Sequence, residues 1–178
     1  IKKSSLKKLS KLLKKREADL LMSLHLTSRE KKINKMKQLK KEYFFEGKKL
    51  NILFKFLNTR GRNVVYYPWS FIINRKFLIE NKIYFKHKIK MHEDQLFTAK
   101  TLCSAKKIII CKDIFHIHEE RVGSLRRSMG SIAMKSCLET MNELCKILKS
   151  ENLNDEKRFF LNMRLDYMIK YLKLYLIA

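Results

Sequence analysis

Residues 91–115, MHEDQLFTAKTLCSAKKIIICKDIF, change their hydrophobic period midway. Leu96, Phe97 and Leu102 recur at helical spacing, which predicts a helix over 94–105. The run that follows, KKIIICKDIFHIH at 106–118, is β-branched and broken at Lys112 and Asp113, which predicts two short strands. A helix leading straight into a buried strand is a building unit of α/β folds.

The pattern extends outward on both sides. Residues 4–16, SSLKKLSKLLKKR, place Leu6, Leu9, Leu12 and Leu13 on one face of an amphipathic helix with a basic outer face. ADLLMSLHL at 18–26 reads as a short buried strand leaving that helix, and the Lys-dense residues 28–42 as an exposed connection. GKKLNILFKFLN at 47–58 is a further helix. In the stretch 63–85, residues 64–67 and 69–73 read as extended and 75–81 as a short helix. From Ser128 the period is helical. Ile132, Leu138, Met141, Leu144 and Leu148 make one long helix, and 157–178 makes another whose Leu, Tyr and Met stripe fits inter-helix packing. The expected fold class is α/β with a helical C-terminal extension, divided as 1–127 and 128–178.

Composition narrows the classes. The chain has 178 residues, 46% of them hydrophobic and 33% charged, enough for a domain with a real core. Four Gly and one Pro are too few for the many tight turns of a sandwich or barrel. Lys and Arg number 41 against 17 Asp and Glu, a net charge of +24. Such a surface suits nucleic acid, anionic lipid or a phosphorylated substrate. The basic residues are spread through every segment, however, and no nucleic-acid motif accompanies them. A basic helical nucleic-acid-binding module is therefore the alternative reading, not the first. The cysteines, Cys103, Cys111, Cys137 and Cys145, form no C-x-x-C pair, which points to buried thiols in a reducing setting. No apolar run approaches the roughly eighteen residues of a membrane span.

Against this basic background His92, Glu93 and Asp94 stand together. By themselves they read more readily as a helix cap than as an active site. His116 and His118 alternate along a strand and so face one side, but without a carboxylate partner they make no metal site alone.

Three blocks in order bear on the choice: Trp69 followed by Arg75-Lys76-Phe77-Leu78, then His92-Glu93-Asp94 leading a helix, then Ala105-Lys106-Lys107-Ile108 with Arg121-Val122-Gly123-Ser124 beyond it. Together they resemble the C-terminal half of bacterial family-2 glycosyltransferases, inverting enzymes that build capsule, lipooligosaccharide and other surface glycans. The resemblance spans about residues 4–127. KKREADLLM is also similar to the helix-to-strand step that follows the metal-binding D-x-D of that family. Ser70 and Phe71 depart from the Asn or Asp and Lys that often follow the Trp. Residues 1–178 do not include the nucleotide-binding half with its D-x-D, so the chain is expected to be a C-terminal fragment, inactive alone.

The resemblance implies the C-terminal part of a Rossmann-like nucleotide-diphospho-sugar transferase fold and a set of roles. Asp94 would be the catalytic base, kept ionised by its place at a helix start, with Glu93 beside it. Trp69 and His92 would contact the acceptor glycan. Arg121, Gly123 and Ser124 would bind the donor diphosphate. His118, or alternatively His116, would complete a site for a divalent metal, Mn²⁺ or Mg²⁺. The donor would be a nucleotide-diphosphate sugar. The place of action would be the cytoplasmic side of the bacterial inner membrane, with peripheral contact to anionic lipid.

Overall fold

A computed structural model of the chain describes residues 3–23, 26–27, 41–59, 67–111, 117–118, 130–149 and 153–177. The elements run α1 (Lys3–Lys15), β1 (Leu20–Ser23), β2 (Leu26–Thr27), β3 (Tyr43–Glu46), α2 (Lys49–Thr59), a 3-10 turn (Pro68–Ser70), β4 (Phe71–Ile73), α3 (Arg75–Glu80), α4 (Glu93–Ser104), β5 (Lys107–Cys111), β6 (Ile117–His118), α5 (Ser131–Leu148) and α6 (Asp155–Ile177). The expected mixed α/β fold with a helical C-terminal region is what the chain adopts. Packing groups it into two compact units: Ile1–Lys82 with Ser104–Glu120, and Ile83–Cys103 with Arg121–Ala178. Residues 83–103 thus go with the C-terminal helices, whereas the sequence division runs between 127 and 128.

The first unit is built on a four-stranded sheet of order β3-β5-β1-β4. The central strands β1 and β5 pair in parallel, and β3 and β4 flank them antiparallel. All four residues of β1 and all but the first of β5 are buried, which is why both strands read as unbroken apolar runs rather than as alternating ones. Register aligns Phe44, Ile109, Leu21 and Ile72 in one row across the sheet. Leu9 and Leu13, one helical turn apart on α1, pack on that row with Ala18 and Cys111. Lys7, Lys8, Lys11, Lys14 and Lys15 of α1 are left facing water, as the amphipathic pattern requires.

Asp19 ties this unit together. Its Oδ2 accepts hydrogen bonds from the backbone N–H groups of Lys106 (2.8 Å) and Lys107 (3.0 Å). Its own N–H donates to the Lys107 carbonyl, and its carbonyl accepts from Asn74. One residue therefore fixes the starts of β1 and β5 and the end of β4. The neighbouring Glu17 takes a left-handed backbone (φ 48°) to turn the chain out of α1. A separate parallel pair joins β2 to β6 and sets Thr27 opposite His118.

In the second unit α5 and α6 form an antiparallel pair. Cys137 donates to the Met168 carbonyl, while Arg158 donates to the Leu148 carbonyl at the other end of α5. Helix α4 joins them, and the Lys157 ammonium caps its C-terminus by donating to the Cys103 carbonyl (2.6 Å). The segment before α4 is held down by a Lys86–Glu143 ion pair, by a bond from the Lys90 N–H to Ser136 Oγ (3.2 Å), and by Phe85 stacked on Phe97. Among the described residues no helix is long and apolar enough to cross a membrane.

Candidate active site

The His92-Glu93-Asp94 group sits where α4 begins. The helix starts at Glu93, one residue before the predicted start, so Asp94 lies within the first turn and is not the N-cap. His92 precedes the helix in a left-handed backbone conformation (φ 65°), uncommon for any residue but glycine. Its carbonyl accepts from the Gln95 N–H (3.1 Å), and Asp94 Oδ1 accepts from the same N–H (2.8 Å). Asp94 therefore satisfies an orphan donor of the helix start and still has a second carboxylate oxygen.

A helix start by itself lowers a carboxyl pKa, and here burial works against it. Burial raises the Asp94 pKa to about 6, and the neighbouring Glu93 pushes the same way. The Gln95 N–H, its own N–H and the Arg164 charge pull it down, but they do not prevail. The physical reason is tertiary: α4 buries the five residues that follow Asp94, and this desolvation outweighs the field of the helix end. At pH 7 such a carboxylate is still about nine-tenths ionised. A carboxyl with its pKa near the working pH suits a general base.

Two groups on α6 hold the residues flanking Glu93 and Asp94. His92 Nε2 hydrogen-bonds the Tyr175 hydroxyl (2.7 Å), and its ring meets Tyr171 edge-on. Burial holds the His92 pKa below its ordinary value. On the other side, Arg164 Nη1 donates to Oε1 of the buried Gln95 (3.1 Å). The guanidinium lies over the Phe160 and Tyr167 rings. Gln95, Arg164, Tyr171 and Tyr175 were not singled out from the sequence. Their visible trace was the tyrosine stripe of the last helix, which reads as packing.

The other expected site residues are distributed as follows. Trp69 belongs to the first unit, in the 3-10 turn, half-buried with one ring face on Tyr67 (4.3 Å between centroids). Ser70, buried beside it, donates its hydroxyl to the Tyr67 carbonyl. Arg75 is exposed and Phe77 buried on α3, whose N-cap is Asn74. His118 is placed by its backbone in β6. Its side chain, together with His116, Arg121, Gly123 and Ser124, lies outside the described residues. Among the described residues no group of three His, Cys, Asp or Glu side chains could hold a metal ion.

No family model matches the chain, and no curated protein sequence does. Solved structures do. The chain is similar to the 1–349 portion of S. aureus TarS in complex with UDP-GlcNAc, with a TM-score of 0.60 and 18% identity over 95% of this chain and 44% of that one. The same portion solved in complex with UDP gives a TM-score of 0.56 at 16% identity, over 93% of this chain and 41% of that one. The chain spans less than half the length of these structures. The likeness is one of fold: a mixed α/β chain with a four-stranded sheet and a helical C-terminal region.

Proposed function

We propose that the chain is the acceptor-side part of an inverting glycosyltransferase of the family-2 type, residues 1–127 belonging to its catalytic domain and 128–178 to a helical extension. Asp94 is the base. The acceptor hydroxyl oxygen bonds to the anomeric carbon of a nucleotide-diphosphate sugar as the bond from that carbon to the diphosphate breaks. The hydroxyl proton passes to Asp94, and the nucleoside diphosphate leaves. A single displacement of this kind inverts the anomeric centre. Glu93 and His92 face the acceptor, Trp69 contributes a stacking surface, and Arg121, Gly123 and Ser124 contact the diphosphate. No step is routed through a metal, whose ligands would include His118 or His116 and residues outside those described.

The observation that carries this reading is the Glu93–Asp94 pair. Burial raises the Asp94 carboxyl to a pKa of about 6, in a fold similar to that of TarS 1–349, which has been solved in complex with UDP-GlcNAc and in complex with UDP. The acceptor class is a bacterial surface glycan such as capsule or lipooligosaccharide. The basic surface supports work beside anionic lipid at the inner face of the cytoplasmic membrane.

The test is release of UDP from a panel of UDP-sugars by the protein that carries this chain, with the product anomer read by NMR. Donor-dependent UDP release with an inverted product supports the reading. Binding to nucleic acid with a steep salt dependence, and no response to any nucleotide sugar, would replace it with the nucleic-acid module.

A further inference from the structure

Asp94 is held through its neighbours rather than directly. His92, two residues before it, is tied to Tyr175, and Gln95, the residue after it, is tied to Arg164. Both partners come from α6, eleven residues apart, which is three helical turns or about 16 Å along one face. The two ties therefore act as a pair, one on each side of the carboxylates. The Arg164 guanidinium also lies over the Phe160 and Tyr167 rings, and its bond to Gln95 aims it at the start of α4. Among the described residues, the charged groups that bear on Asp94 are Glu93, next to it in the chain, and Arg164 from α6. Glu93 opposes the carboxylate form of Asp94, and Arg164 favours it.

We propose that Arg164 is a positioning residue for Asp94: it orients the start of α4 by holding Gln95 and supplies the positive charge that offsets Glu93. The proposal rests on the reading of Asp94 as the base and makes α6 part of the catalytic apparatus. Tyr175 plays the companion role on the His92 side, where its hydrogen bond steadies a backbone conformation that histidine does not ordinarily favour.

The experiment follows the Asp94 carboxyl by carbon-detected NMR titration of the isotope-labelled chain, a readout that needs no sugar transfer. Arg164→Gln should raise the Asp94 midpoint by about half a pH unit or more, because an opposing charge has been removed. Arg164→Lys should recover part of the shift, since it keeps the charge but loses the planar fork. In the transferring protein the acid limb of the pH–rate profile should move with the midpoint. An Asp94 midpoint unchanged in a folded Arg164→Gln variant overturns the proposal. If that variant does not fold, Gln95→Met removes the tie while keeping the volume. It should shift the midpoint in the same direction, and an unmoved midpoint there is equally fatal. A midpoint that moves while the rate profile does not overturns Asp94 as the base and leaves the coupling standing.

Discussion

Replacing Asp94 by Asn should make the chain more stable at neutral pH even as it removes the proposed base. Asp94 has an ordinary pKa of 3.8, raised in the fold to about 6. The folded state thus binds the proton more tightly than the unfolded chain does, so stability is lost as pH rises from 3.8 to 6 and stays lost above that. Two units correspond to roughly 3 kcal/mol at pH 7. Asn stays neutral, matches the shape and can still accept from the Gln95 N–H. The attraction of Arg164 is already contained in the pKa of about 6; Asn must still place an amide where an oxygen sat, so a net gain of about 1–2 kcal/mol is expected. The assay is urea denaturation of wild type and Asp94→Asn at pH 7 and pH 4. At pH 4 only about 0.5 kcal/mol of the wild-type penalty remains, so the advantage of the variant should be gone and wild type should be equally stable or slightly the more stable. A variant less stable than wild type at pH 7, or a gap that does not change with pH, would refute the account of Asp94 as a carboxylate charged at the expense of the fold.

Other outcomes follow from the packing. Asp19→Ala should cost about 2–3 kcal/mol and expose the Lys106 and Lys107 amides to hydrogen exchange, because both lose their acceptor. Asp19→Asn, keeping one acceptor oxygen, should cost about half as much. Glu143 is 16% exposed between Lys86 and Lys146, whose hydrogen bonds hold its pKa down to about 2 from 4.5. A lowered carboxylate pKa stabilises the fold above 4.5, and that contribution is lost as pH falls toward 2. Glu143→Gln should therefore cost about 1–2 kcal/mol at pH 7, with the loss shrinking across that acid window.

Much of the fold was legible because it is written in local periods. The leucines of α1, the apolar β1 and β5, and the helix-to-strand step at 104–107 all follow from spacing and burial on both sheet faces. What was not legible depends on contacts far apart in sequence. Nothing near residues 83–91 indicates that Lys86 pairs with Glu143 or that the Lys90 N–H meets Ser136, so the grouping of 83–103 with the C-terminal helices had no local signal. The candidate site divides the same way. The Glu93–Asp94 pair could be picked out because acids are scarce around it, whereas its supports, Arg164 and Tyr175, stand 70 or more positions away. The proton affinity of Asp94 divides in the same way. A helix start lowers a carboxyl pKa by a local rule, and burial, which is tertiary, reversed the sign.

The central claim is that Asp94 takes the acceptor proton, and the most direct measurement is sugar transfer by Asp94→Asn in the protein that carries this chain, at saturating donor. The account predicts a loss of at least about a hundredfold in turnover, the scale of general-base catalysis, in a protein that melts no lower than wild type. Turnover within a few-fold of wild type would contradict it.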